Sequence, residues 1–122
     1  MTSLLDARDA LDAAFVAGGI AIADAPGGTA APYGVIFGEG VGGGPGVMPG
    51  QVRASFRVTL IAGGWDKAVA GRQLTTMVQT AMTTVRALSD WQFVEVRRDN
   101  IIVTAGGSML GCDVIASRLV DI

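Results

Sequence analysis

The segment VRASFRVTLIAGGWDKAVAGRQLTTMVQTAMTTVRAL, residues 52–88, decides the fold because two hydrophobic periods follow each other in it. Over Val52–Ala62 apolar and polar residues alternate, which predicts a strand with one buried side and one solvated side. After two glycines, apolar residues recur at steps of three and four as far as Leu88, which predicts an amphipathic helix. A strand that leads directly into such a helix indicates a helix packed on a sheet.

The buried faces of this strand and helix follow from the same spacing. We expect one core to contain the helix positions Leu74, Val78, Ala81 and Val85 together with the strand positions Phe56, Val58 and Leu60. Asp66 is placed to cap the helix. The other side of the strand carries Arg53 and Arg57, which a solvated strand face explains more simply than a phosphate or protein partner does.

The remaining elements complete an α+β domain. Ser3, with Asp6 three residues later, predicts a capped helix from Leu4 to about Ala17, with Leu4 among its apolar positions. The other strands are expected at Ile20–Ala23, Tyr33–Phe37, Trp91–Arg98, Ile101–Ala105 and Cys112–Val120, with turns at Asp24–Gly28, Asp99–Asn100 and Gly106–Ser108. We therefore predict one domain over residues 1–122: an antiparallel sheet packed by two helices, in the order α-β-β-β-α-β-β-β.

The segment GEGVGGGPGVMPG, Gly38–Gly50, is predicted to be a loop because seven of its residues are glycine and two are proline. Three of these glycines have the GxGxxG spacing of dinucleotide-binding proteins. Prolines follow, however, where a phosphate-binding helix would have to begin, so no nucleotide site is expected. A loop of this length in a small domain usually has a use. We expect Gly38, Gly44 and Met48 to contribute to contacts with other subunits.

Composition excludes several classes of function. The chain has 122 residues, 9 basic and 11 acidic, a formal net charge of -2 and no histidine. Histidine-dependent catalysis, histidine-bearing zinc sites and haem with a proximal histidine are therefore impossible. No acidic pair has the spacing of a catalytic site, and Glu95 is most simply an exposed partner of Arg97 or Arg98. We predict no enzyme activity, cofactor or metal, and a buried structural role for the single cysteine, Cys112.

The cellular context is also constrained. Acidic residues near the start of the chain do not suit a signal peptide, and no apolar segment is long enough for a membrane span, so a soluble intracellular protein is expected. The dispersed arginines and the single tyrosine make tight nucleic-acid binding improbable on physical grounds. Only 16% of the residues are charged, and the strand Cys112–Val120 is apolar on both sides. This surplus of apolar surface favours burial in an assembly, although helices on both sheet faces would also account for it.

The order and size of these elements resemble the tail terminator, or tail-completion, family of long-tailed bacteriophages. The resemblance is carried by LLDARDALDAAF (residues 4–15), PYGVIF (32–37), VRASFRVTLIA (52–62), DKAVAGRQLTTMVQTAMTTVRAL (66–88) and the closing WQFVEVRRDNIIVTAGG and CDVIASRLVDI. It covers nearly the whole chain, and the glycine-rich segment departs from it.

This resemblance implies a structural virion protein at the head-proximal end of the tail, made in the host cytoplasm. Six copies would form a ring with the sheets toward a central channel. One side of the ring would dock on the tail tube protein and end tube growth, and the other would receive a head-completion or neck protein. DNA would pass through the lumen without being read. Arg53, Arg57, Arg97 and Arg98 are the expected polar contacts at interfaces or along the channel. The alternatives are another phage neck, head–tail connector or tube protein, or a small non-viral binding module.

Overall fold

The two predicted helices and an α+β architecture are present. A computed structural model of the chain describes residues 2–24, 32–44, 46–63, 67–104 and 107–122, with the side chains at 67, 98–104 and 107–108 outside the description. The elements are α1 (Leu4–Ala17), β1 (Ile22–Ala23), β2 (Tyr33–Gly42), β3 (Gln51–Ile61), α2 (Lys67–Ala87), β4 (Gln92–Thr104) and β5 (Gly107–Asp121). The predicted cap Asp66 and most of the predicted turn at 24–28 lie outside the described residues.

The five strands form one sheet in the order β1-β2-β3-β5-β4. The pairs β2–β3, β3–β5 and β4–β5 are antiparallel, as predicted. The pair β1–β2 is parallel, so the sheet is mixed rather than wholly antiparallel. Two strands that form a parallel pair cannot be joined by a two-residue hairpin turn, which is why a sequence pattern of short neighbouring strands did not predict this pairing.

The loop within the glycine-rich segment is shorter than the composition of that segment predicts. Strand β2 continues to Gly42, with a register shift between Gly38 and Gly40, and its last residues pair with β3 as far as Arg53. Pairing with β3 satisfies the backbone groups of these glycines, which outweighs their low intrinsic strand preference. The turn is confined to the residues after Gly42. There Gly44, Gly46 and Gly50 have φ of 139°, 82° and 84°, a region that side chains disfavour.

The C-terminal part contains two long strands where three were predicted. Asp99–Asn100 is not a turn: β4 runs through it, and a register shift between Arg97 and Asn100 takes up the irregularity. Strand β5 begins at Gly107 instead of Cys112, so it is long enough to pair with both halves of β4. A bulge keeps the ladder on both sides of the polar residues, whereas a turn would end it. The element order is therefore α-β-β-β-α-β-β.

Both helices pack on one face of the sheet. In α1, Ser3 Oγ accepts from the Asp6 N–H at 3.1 Å and the Asp6 carboxylate accepts from the Ser3 N–H at 3.4 Å, which confirms the predicted cap. The core combines helix and strand residues as predicted, namely Ala7, Leu11, Phe15, Leu74, Val78, Ala81, Val85, Phe56, Val58, Leu60, Cys112, Val114 and Ala116. Cys112 is 1% exposed, consistent with a structural thiol. Leu4 was predicted to join this core but is 44% exposed.

The other side of the sheet, called here the open face, carries no helix. A second apolar cluster lies on it, formed by Tyr33, Val35 and Ile61, with Phe37 and Met109 packed beside them. Ile115 of β5 also points to this face and is only 3% exposed. Ile115 is thus buried within one chain although no helix of the described residues covers this face, whereas Leu119, the other apolar residue of β5 on this face, is half-buried.

Candidate functional site

Three of the predicted interface arginines share the open face. Arg53 and Arg57 lie four residues apart in β3, which is two pleat repeats and therefore the same side of the strand, and Arg57 faces Ile115 across the β3–β5 ladder. Arg97 faces Asp113 across the β4–β5 ladder. Residues directly opposite each other in antiparallel strands point to the same side of the sheet, so the register itself brings these arginines to one surface. The backbone of Arg98 continues β4, and its side chain lies outside the described residues.

An ion-pair network joins two of these arginines. Arg97 Nη1 lies 3.2 Å from Glu39 Oε1, and Arg97 Nη2 lies 3.0 Å from Glu95 Oε1. Arg57 Nη1 lies 3.7 Å from Glu39 Oε2. The Arg97 pKa is raised above its ordinary value, first by the hydrogen bond to Glu95 and then by the charges of Glu95 and Glu39. Two positive and two negative groups therefore compensate each other, and the carboxylate of Glu39 on β2 bridges to β4 across two strands.

This network covers apolar surface as well as pairing charge. Ile115 stands between Arg57 on one neighbouring strand and Glu95 on the other, directly opposite both. The Arg57 guanidinium lies 4.7 Å from the centre of the Phe37 ring, a cation–π distance. Long charged side chains can lay their aliphatic stems over apolar neighbours and keep their heads in water. Ion-paired side chains thus cover the apolar residues of the open face, whereas the two helices cover those of the other face.

Arg53 belongs to a separate polar region at the end of the sheet. Its Nη1 donates to Gln92 Oε1 at 3.1 Å. A pocket of about 430 Å³ there also contains Arg118, which lies 5.9 Å from the Trp91 ring, as well as Asp90 and Asp121. The two aspartates balance the charges of Arg53 and Arg118, so the pocket has no net positive charge that would select an anion.

The glycine-rich hairpin forms part of an apolar end of the molecule. Hydrogen bonds bring together the start of α1, the β2–β3 turn and the last residues, with Asp121 N donating to Thr2 O at 2.8 Å and Ile122 N donating to Gly50 O at 3.0 Å. Five large apolar side chains are exposed here and are called the apolar end: Leu4 (44%), Leu5 (65%), Val41 (57%), Met48 (66%) and Ile122 (79%). The predicted interface residues Met48 and Gly44 lie in this turn.

Part of the apolar end is a groove between α1 and the edge of β2. Leu4, Leu5, Val41 and Phe56 line about 370 Å³ of space together with Gly38 and Gly40. A side chain added at either glycine would meet nothing within 4 Å, so both leave room for a neighbouring molecule. Sequence reasoning found Gly38 and Met48 but missed Leu5 and Val41. The sequence signal for an exposed apolar residue at position 5 was available, because Leu5 lies outside the buried stripe of α1.

The sheet has two unpaired edges within the described residues. Strand β4 pairs only with β5, which leaves its other side free along thirteen residues. Strand β2 is covered by β1 only at Gly34 and Val35, and the Ile36 carbonyl accepts from Arg8 Nη2 at 3.3 Å, so its edge is free from Phe37 to Gly42. Free backbone N–H and C=O groups in a row are a template for pairing with another strand.

No family model and no curated protein sequence matches this chain. Among the described residues there is no group of side chains that could hold a metal ion, and no helix there is long and apolar enough to span a membrane. The free edges, the apolar end and the ion-paired open face are candidate partner surfaces in the described part of the chain.

Proposed function

We propose that the chain is the subunit of a closed ring, six copies in the phage tails it resembles, that caps the tail tube of a long-tailed bacteriophage and joins it to the head side. The observation that carries the proposal is the pair of free edges at opposite ends of the described sheet. Strand β4 runs antiparallel to β5, β5 to β3 and β3 to β2, so β4 and β2 run in opposite directions. The β4 edge of one copy can therefore pair in antiparallel fashion with the β2 edge of the next.

Such a contact joins two different surfaces of the same chain. Contacts of this heterologous kind generate rings when the rotation closes and filaments when it does not. A closed ring satisfies both edges in every copy, whereas a monomer leaves both exposed. The free edges favour a ring independently of β5, whose Ile115 is already buried within the chain.

The apolar end supports a cap rather than a tube subunit. A tube grows because both ends of each ring are adhesive, and a cap needs only one such end toward the tube. Five of the eight large apolar side chains that are exposed in the described part of the chain gather at the apolar end. The other three, Val16, Val69 and Val94, lie in three different elements. We assign the apolar end to the contact with the tail tube protein.

The open face suits the wall of a DNA channel. Glu39 and Glu95 neutralise Arg57 and Arg97 there. A strongly basic wall would bind the phosphate backbone and retard DNA, while compensated charge would let it pass without being held. In this arrangement the helices lie on the outside of the ring. A head-completion or neck protein would bind the end opposite the apolar one.

The test is to add the purified chain to growing tail tubes of the same phage and to measure tube length and end occupancy by electron microscopy. Bound rings at tube ends and a shorter length distribution are expected. Long tubes formed by the chain alone would make it a tube protein. Neither end binding nor length control would overturn the proposal.

The variant pair Leu5→Ser and Met48→Ser sharpens this test. Both side chains are exposed, so the melting temperature should change little. Occupancy of tube ends should fall at least about tenfold if each side chain contributes the 1–2 kcal/mol that burying a large apolar group supplies. Val69→Ser, at a similarly exposed position in α2, is the matched control and should leave end binding unchanged. Equal effects of all three substitutions would argue against the apolar end as the tube contact.

A further inference from the structure

The two helices carry opposite charges on surfaces that have no partner within the described chain. Helix α1 contains three aspartates and one arginine, whereas α2 contains one lysine, two arginines and no acidic residue. In the described part of the molecule no ion pair or hydrogen bond involves the side chains of Asp9, Asp12, Arg72 or Arg86. By contrast, the charged groups of the open face are paired.

The acidic side of α1 points away from α2. Asp9 and Asp12 share a flank with the exposed Leu5 and Val16, at spacings of four, three and four residues. Ala14 and Ala17, on the opposite flank, line the groove between the two helices. Leu5 lines the groove beside β2 together with Arg8, whose guanidinium donates to the Ile36 carbonyl, so this flank borders the edge of β2. We call it the outer flank of α1.

The basic side of α2 points away from α1. Arg72 and Arg86 are fourteen residues apart, nearly four turns, and therefore lie on the same side of the helix. Thr80, Thr84 and Ala87 line the groove toward α1 and occupy the other flank; Gln79 and Thr83, on the solvent-facing side between the two flanks, line it as well. Helix α2 packs on β5 and β4 more than on β3, so its basic side borders the β4 half of the sheet. We call it the outer flank of α2.

We propose that a second copy of this chain binds these flanks, with Arg86 of one copy paired to Asp12 and Asp9 of the next. This inference rests on the proposed ring and identifies a contact that holds it together. Where the β4 edge of one copy meets the β2 edge of the next, the outer flank of α2 comes beside the outer flank of α1. The two flanks have opposite charge, which favours this pairing over α1 with α1 or α2 with α2.

Position along the ring axis favours Arg86 over Arg72 as the partner of the two aspartates. Rotation about a ring axis leaves each residue at the same height in every copy. Arg86 belongs to the stretch of α2 that lies beside Ala14 and Ala17 of its own chain, and Asp12 is less than one turn from Ala14. Arg72 is about 21 Å further along α2, at a rise of about 1.5 Å per residue. Arg72 therefore serves as a control on the same flank.

Charge reversal with complementation tests the contact. Arg86→Asp puts a negative charge opposite Asp12 and Asp9 while Arg72 stays in place, and Asp9→Arg with Asp12→Arg makes both flanks basic, so each variant alone should self-associate at least about tenfold more weakly than the wild type. Mixed in equal amounts, the two variants can alternate around an even-numbered ring with every contact attractive. Association should then return to within about threefold of the wild type. Sedimentation velocity over a concentration series measures the self-association of each variant and of the mixture. Counting ring particles on tube ends is a second readout.

The outcomes distinguish a failure of this flank contact from a failure of the proposed ring. Each variant should keep a cooperative melting transition, and Asp9→Arg alone is the substitute if the half-buried Asp12 position does not tolerate arginine. Arg72→Asp changes charge by the same amount and should leave association near the wild-type level. Wild-type rings with no effect of Arg86→Asp, or with no recovery in the mixture, would overturn the flank contact and leave the ring standing. A wild-type chain that neither associates nor occupies tube ends would overturn the proposed function, and this contact with it.

Discussion

The two faces of the sheet bury apolar side chains by different means. On the helix side, Val114 of β5 is fully buried beneath apolar helix residues. On the open face its neighbour Ile115 is 3% exposed, between Arg57 and Glu95. Dispersion contacts from a packed core are dense and independent of salt, whereas a cover of long charged side chains can shift and is screened by ions. An apolar residue on a face without helices therefore does not by itself indicate a missing subunit.

The largest expected effect is on the helix side. Val78→Asp puts a charge into the interface between α2 and the sheet and should destabilise the fold by about 3 kcal/mol or more, because the carboxylate has no partner there. Urea unfolding measures the loss. Thr76→Asp, on an exposed position of the same helix, is the control and should change stability by about 0.5 kcal/mol or less. A Val78→Asp chain with an unchanged midpoint would refute this helix face.

An intermediate effect compares the two faces directly. Ile115→Ala and Val114→Ala remove side chains that are almost equally buried on adjacent residues of β5. Ile115→Ala should lower the free energy of unfolding by less per carbon atom removed than Val114→Ala does, because the charged cover can collapse onto the smaller side chain. Its total cost should lie near the low end of the 2–5 kcal/mol range for isoleucine. The measurement is the unfolding free energy of both variants. A higher cost per carbon at Ile115 would show that the open face is as rigid as the core.

The smallest effect concerns the ion pairs. Glu39→Gln removes the carboxylate that bridges Arg57 and Arg97 and should cost about 1 kcal/mol or less, as is usual for partly exposed pairs. The difference from the wild type should shrink in 1 M salt, where the screening length is about 3 Å. Thermal melts at low and high salt measure both. A difference that does not respond to salt would mean that packing of the Glu39 side chain, and not its charge, stabilises the open face.

Periodicity alone was sufficient for α1, α2 and the central strand β3. The alternation in β3 and the three-and-four spacing of α2 predicted which side chains meet, and the Ser3–Asp6 cap predicted where α1 begins. These features depend on residues close together in sequence, so the local pattern contains the information. Arg53 and Arg57 were also predicted from sequence to share a polar strand face, and Arg97 was predicted as a partner of Glu95, with which it pairs.

The tertiary structure decided what depends on distant strands. Gly40 and Gly42 lie in a strand because β3 lies alongside, and Asp99–Asn100 is a bulge because β5 extends far enough to pair on both sides of it. The parallel pairing of β1 with β2 likewise joins residues that are not neighbours in sequence. Glu39 reaches Arg97 only because the strand order places β2 and β4 on either side of β3 and β5. The sequence by itself determined the helices, the central strand and the faces they bury, since these follow from local spacing. Pairing partners, register and the free edges depend on contacts between residues far apart in the chain, and only the folded sheet specifies them.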